Sequence, residues 1–156
     1  MKKIILFLLL ISSLLISHAQ SITSCENPEG YSYTHFAGLV PRPSSGFEKD
    51  KITGGMVTLQ KIGEKKYDIQ FVDIRKQIIS AISDGGAVIL MRKGKSDATF
   101  LHYYPGKVIE IYTFWVDSDG HFKYDLVQSK GGDSMPIHKI SNMVGTCGRI
   151  SFDLID

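Results

Sequence analysis

The sequence predicts a mainly β domain, either an antiparallel β-sandwich or a partly closed barrel, with one short α-helix. Apolar segments of strand length recur at roughly ten-residue spacing, and apolar and polar side chains alternate within several of them. Clusters of glycine, proline, aspartate and serine separate the segments, as expected for turns. This pattern is typical of antiparallel sheets built from hairpins.

The first residues, MKKIILFLLLISSLLISHA, predict a secretory signal peptide over residues 1–19. Two lysines precede an apolar run, and small residues precede a cleavage point after Ala19. The run is shorter than the about 20 apolar residues of a membrane-spanning helix. We therefore expect one exported β-rich domain over residues 20–156, periplasmic or secreted, with no transmembrane segment in the mature chain. An uncut N-terminal anchor is the alternative.

The charge balance argues against a nucleic-acid partner. The chain has 18 basic and 16 acidic side chains, but residues 1–19 contain two lysines and no acidic residue. The predicted mature chain therefore has no formal net charge, and its charges of both signs are interspersed. Such a surface exerts no long-range attraction on nucleic acid or anionic lipid.

The only two cysteines, Cys25 and Cys147, predict one disulfide bond. Both follow the predicted signal peptide, and an exported chain experiences oxidising conditions. The alternative is a lipid anchor, because Ile22 to Cys25 loosely resembles a lipoprotein cleavage box. The box normally adjoins the apolar run, whereas residues 17–21 are polar here, and a lipid at Cys25 would leave Cys147 unpaired. We therefore expect the disulfide, with an envelope lipoprotein as the alternative.

The predicted strands follow one another with polar turns between them. They cover residues 31–40, 56–62, 66–74, 86–93, 98–104, 107–116, 121–128, 137–141 and 148–155. The strand at 107–116 is apolar on both faces, which predicts a central strand that is covered on both sides. A four-residue turn, DSDG, would place Trp115 opposite Phe122.

The helix is predicted over residues 74–83. Ile74, Ile78, Ile79 and Ile82 have helical spacing, Asp73 suits an N-cap, and Gly85 or Gly86 suits the end. A continuing strand is the alternative, because isoleucine favours strands.

Glu110 is the most unusual residue, because it lies within the most apolar strand. A carboxyl in that position can bind the polar part of a ligand or act as a general acid. An ion pair with a neighbouring strand, or simple exposure, is the alternative. Tyrosine has an apolar ring and a polar tip, which suits binding surfaces as well as ordinary sheet packing. The candidate binding residues are Glu110, Tyr112, His102 and Tyr104.

No complete catalytic or metal motif is present in the sequence. Gly94 to Ser96 lacks the upstream glycine of a phosphate-binding loop, and the DSDG turn lacks the further ligands of a calcium loop. We therefore assign no catalytic residue, metal ligand or cofactor, and favour a binding protein over an enzyme. The expected partner is a protein, an envelope component or a small apolar ligand. A small extracytoplasmic hydrolase using Glu110 with a histidine is the alternative.

Overall fold

The computed structural model describes residues 19–73 and 75–156. The predicted signal peptide, apart from Ala19, and Ile74 lie outside these residues. Among the described residues, no helix has the length and apolar character needed to cross a membrane.

The described chain forms ten strands and two short 3₁₀ segments. The strands are β1 (Gln20–Thr34), β2 (Gly46–Lys51), β3 (Met56–Gly63), β4 (Lys66–Val72), β5 (Ile78–Ser80), β6 (Ala87–Lys93), β7 (Asp97–Tyr104), β8 (Val108–Val116), β9 (Phe122–Lys130) and β10 (Lys139–Cys147). The 3₁₀ segments are Arg42–Ser44 and Phe152–Leu154.

All strands belong to one antiparallel sheet that curls into a half-barrel. Their order is β5-β4-β3-β1-β10-β9-β8-β7-β6, and β2 pairs with the second half of β1. The long strand β1 pairs with β3 through its first half and with β10 along most of its length. Strands β4 and β6 come close without pairing, which leaves the barrel partly open. The mainly β, partly closed architecture predicted from the sequence is thus confirmed.

The concave face carries the apolar core, and the C-terminal segment closes one end of it. Ile150 and Ile155 are buried beside core residues from several strands. Asp156 accepts a hydrogen bond from the Tyr67 hydroxyl at 2.7 Å and forms a salt bridge with Lys61 at 2.7 Å. The contacts with Lys61 and Tyr67 lower the pKa of Asp156 to about 2.

The predicted disulfide is confirmed. Cys25 in β1 lies directly opposite Cys147 in β10, and the two sulfur atoms are bonded. The bond joins the first strand along the chain to the last strand along the chain, and the two are neighbours in the sheet. It lies just before the chain enters the C-terminal segment. A bridged Cys25 has no free thiol to which a lipid could be attached.

The predicted helix over residues 74–83 is wrong over its described part, residues 75–83. The chain instead makes a tight hairpin into β5, followed by a turn. Asp73 does cap backbone N–H groups, but those of Arg75 and Gln77, at 2.8 and 2.9 Å, which closes a loop. Lys76 adopts the left-handed conformation with φ of 65°, which a helix does not accommodate. The β-branched pair at Ile78 and Ile79 then pairs with β4.

Strand β8 is central, as predicted, but it is covered on one face only. Ile109 is 55% exposed and Ile111 is 40% exposed on the convex face, whereas Tyr112 and Phe114 are buried on the concave face. The half-barrel has one layer, so nothing in the described chain packs against its convex side. The expected pairing of Trp115 with Phe122 is also shifted by one residue, because the turn is one residue longer and Trp115 faces Lys123.

Candidate binding cavity

A row of five polar side chains crosses the concave face of the sheet. They lie directly opposite one another on five neighbouring strands, and all are buried: His102, Glu110, Gln128, Ser141 and Ser32. The strand ladder alone creates this row, because each residue occupies the same position relative to the barrel axis. Apolar and aromatic residues fill the positions on its closed side, including Phe100, Tyr112, Leu126 and Met143. We call these five residues the polar row.

Glu110 is the centre of the hydrogen-bonded part of the polar row. Its Oε2 atom lies 2.7 Å from His102 Nδ1 and accepts a hydrogen bond from the Tyr112 hydroxyl at 2.8 Å. Its Oε1 atom accepts a hydrogen bond from the side-chain amide of Gln128. The residue is only 8% exposed, so a carboxylate in this place depends on these partners.

The partners of Glu110 favour its ionised form. Burial alone raises the pKa of Glu110. The hydrogen bond and charge of His102, together with hydrogen bonds from Gln128 and Tyr112, outweigh the effect of burial and hold the pKa below its usual value. Burial and the nearby Glu110 carboxylate raise the pKa of the Tyr112 hydroxyl well above its usual value. Tyr112 therefore stays a hydrogen-bond donor to a charged Glu110.

His102 is held by one ring nitrogen and leaves the other unused. Its Nδ1 atom contacts Glu110, while Nε2 is buried and makes no hydrogen bond to any described residue. Space beside this atom depends on Gly86, because a methyl group there would come within 3.0 Å of Nε2. The ring packs edge-on against Tyr104, with ring centres 4.8 Å apart. A buried histidine oriented by a carboxylate can donate to, or accept a proton from, a bound molecule.

A cavity of about 480 Å³ lies between this part of the sheet and strands β3 and β4. One wall contains His102, Glu110 and Gln128 from the polar row, and the opposite wall contains apolar residues such as Val57 and Phe71. The lining is predominantly apolar, and further members are Pro28, Ile52, Gly55, Met56, Val72, Asp73, Tyr104, Val108, Tyr112, Tyr124, Leu126 and Lys130. Cavities of this size and character hold small organic ligands.

The hydroxyl of Tyr124 is a second unused polar atom in the cavity wall. The residue is fully buried, and its hydroxyl makes no hydrogen bond to the described chain. Burial and the Glu110 carboxylate raise the pKa of Tyr124, so the hydroxyl stays protonated. Leaving a buried hydroxyl unpaired costs about 1–3 kcal/mol. A ligand or water that bonded to it would recover this cost.

The structure brings together all four residues that the sequence nominated. Glu110, Tyr112, His102 and Tyr104 line the same cavity, although their role in binding is still a prediction. Sequence reasoning missed Gln128 and Lys130, which line it as well. Gln128 sits among apolar neighbours two residues after Leu126, on the buried face of an alternating strand. The signal that singled out Glu110 could therefore have found it.

The convex face carries a separate apolar groove of about 370 Å³. Tyr31 and Phe47 form one side, and Ile109, Ile111 and Val127 lie across from them. Isolated exposed apolar side chains are ordinary, but a contiguous set is characteristic of interaction surfaces. Nothing in the described residues shows what covers this groove.

The turn after β8 groups Asp117, Asp119 and His121, the residue types that hold metal ions. One Asp117 oxygen accepts hydrogen bonds from the backbone N–H groups of Asp119 and His121, and the other contacts His121 Nδ1 at 3.2 Å. The cluster is thus explained as a turn closed by its own aspartate.

No protein-family model, no curated protein and no solved structure matches the chain. The cavity and the polar row are consequently the features from which function can be argued. Both depend on the register of the strands and on the side chains of the concave face.

Proposed function

We propose that this chain is an exported binding protein that holds a small, largely apolar molecule in the half-barrel cavity. One observation supports this above the others: a cavity of about 480 Å³ combines apolar walls with buried polar atoms that have no hydrogen-bond partner among the described residues. Binding sites for small molecules commonly combine an apolar lining with a few polar groups that fix orientation. A core that served stability alone would gain from filling this space.

The two walls of the cavity suit a molecule with an apolar body and one polar group. Val57, Phe71 and Leu126 offer apolar surface for the body. His102 and Glu110 offer a polar surface on the opposite wall. Burying apolar ligand surface contributes about 25 cal/mol per Å², so a ligand of moderate size suffices for stable binding.

Export is part of the proposal. The disulfide between Cys25 and Cys147 is compatible with an oxidising compartment, and the N-terminal sequence has the pattern of a signal peptide.

We expect the intact mass of the exported protein to correspond to a chain that begins at Gln20. A mature chain that begins with an acylated Cys25 would contradict this.

Binding in the cavity can be measured with the neutral probe N-phenyl-1-naphthylamine, whose fluorescence rises in apolar surroundings. We expect saturable binding to the mature protein. Val57→Phe adds volume inside the cavity and should weaken binding about tenfold. Val57 is 7% exposed and lines the cavity, so the added ring has to occupy the space of the probe.

The matched control is Val127→Phe, the same substitution in the groove of the convex face. Val127 is about half exposed and does not line the cavity. Its substitution should leave probe affinity unchanged. If Val127→Phe weakens binding and Val57→Phe does not, the probe occupies the convex groove and the proposal fails. Circular dichroism checks that both variants retain the strand-dominated fold.

A hydrolase is the second candidate, and the contact between Glu110 and His102 favours it. A carboxylate that orients a histidine leaves Nε2 available as a general base for water attacking an ester or amide in the cavity. In that case Glu110→Gln would abolish a hydrolytic activity found with ester substrates while leaving probe binding intact. Absence of activity across such substrates would exclude this candidate.

A further inference from the structure

We infer that the molecule in the cavity carries an anionic group, of the carboxylate type, on an apolar chain. This inference rests on the proposed function and specifies the ligand of the same site. It follows from which charged groups of the cavity already have partners and which do not.

Both acidic side chains of the cavity already have hydrogen-bond or ion-pair partners. Glu110 accepts hydrogen bonds from its three partners in and beside the polar row. Asp73 forms a salt bridge with Arg75 at 2.9 Å and accepts hydrogen bonds from two backbone N–H groups. A cationic ligand would compete with these partners for the same carboxylate oxygens, and a buried carboxylate that loses its partner is costly.

The basic side chain of the cavity, Lys130, has no such partner. It makes no salt bridge to the described chain, and it lies directly opposite Lys139 in the β9–β10 ladder. Lys139 is matched by Asp50 at 2.5 Å, whereas Lys130 has no acidic partner among the described residues. Lys130 is the last residue of β9 and lines the cavity together with Leu126 of the same strand, which suits a ligand with its head at Lys130 and its chain toward Leu126.

His102 adds a potential donor on the same wall. Its Nδ1 atom is occupied by Glu110, and Nε2 is a donor whenever the ring carries both protons. The Tyr124 hydroxyl can both donate and accept a hydrogen bond, so it does not discriminate between anionic, neutral and cationic head groups of a ligand. Lys130 and His102 together favour an acceptor with negative charge, because charge-assisted hydrogen bonds are roughly twice as strong as neutral ones.

The test compares three ligands that share a twelve-carbon chain and differ only in the head: dodecanoate, dodecanol and dodecylamine. Each is titrated by displacement of N-phenyl-1-naphthylamine at pH 7.5, below the concentration at which it forms micelles. Dodecanoate should bind about tenfold more tightly than dodecanol, and dodecylamine should bind most weakly.

Substitutions of two lysines on one strand locate the effect. Lys130→Met should bring dodecanoate to the affinity of dodecanol, and Lys130→Arg should retain the preference. Lys123→Met is the matched control, because Lys123 lies on β9 but does not line the cavity. A loss in Lys123→Met equal to that in Lys130→Met would overturn the inference.

The outcomes separate the inference from the proposed function. If dodecanol or dodecylamine binds as tightly as dodecanoate, the inference of an anionic head group is wrong, and the proposal that the cavity binds a small apolar molecule is retained. If neither the probe nor any of the three ligands binds, the proposed function is wrong and the inference falls with it.

Discussion

Replacing both cysteines by serine should lower the free energy of unfolding by about 4 kcal/mol. The bond closes a loop with a sequence separation of 122 residues, and a cross-link of that span strongly restricts the unfolded chain. It also ties β1 to β10, the two strands from which the two arms of the sheet extend.

Urea unfolding of the mature protein, followed by far-ultraviolet circular dichroism, measures this change. The Cys25→Ser/Cys147→Ser variant should unfold at a lower urea concentration than the oxidised protein. Wild-type protein under reducing conditions is the control and should match the variant. A loss below about 1 kcal/mol would show that the native sheet gains little from the bond.

The second large effect is expected at the buried pair of Glu110 and His102. Replacing His102 by leucine removes the main partner of a carboxylate that remains almost fully buried. Leaving a buried charge without its partner costs about 3–5 kcal/mol. Glu110→Gln removes the charge itself and keeps an amide that can hydrogen-bond, so its cost should be smaller, about 1–3 kcal/mol.

The pair also predicts a pH dependence. Because the pKa of Glu110 is lower in the folded chain than in the unfolded chain, its ionisation stabilises the fold. This contribution is fully present above the unfolded pKa of about 4.3 and is lost as the pH falls through the folded pKa. The Glu110→Gln variant should therefore lose less stability on acidification than the wild type.

A double-mutant cycle isolates the interaction from other acid-sensitive groups such as Asp50, whose pKa is also lowered. The combined His102→Leu/Glu110→Gln variant should be more stable than His102→Leu alone, because it contains no unpaired charge. Equal stability of these two variants would show that Glu110 is not charged in the fold.

Most of the strand pattern could be predicted because it depends on local sequence, and the disulfide could be predicted because the chain contains only two cysteines. Period-two alternation at Tyr67, Ile69 and Phe71 identifies β4 regardless of its neighbours in space. The helix prediction failed because isoleucine favours strands, and this preference outweighed its helical spacing near Ile78. The side chain of Asp73 also closes a loop ahead of β5.

The candidate site was only partly predictable, because it depends on which residues lie opposite one another on neighbouring strands. Glu110 could be found because a carboxylate in an apolar strand is conspicuous. The pairing of Glu110 with His102 depends on the length of the turn between β7 and β8. The contact of Glu110 with Gln128 depends on the length of the turn between β8 and β9. A change of one residue in such a turn moves every opposing pair, as the position of Trp115 illustrates.

The most direct test of binding in the cavity is the set of nuclear Overhauser effects between bound dodecanoate and protein methyl groups. We expect contacts from the ligand chain to Val57 and Leu126, which line the cavity. Contacts confined to Ile109, Ile111 and Val127 would place the ligand in the groove of the convex face and contradict it.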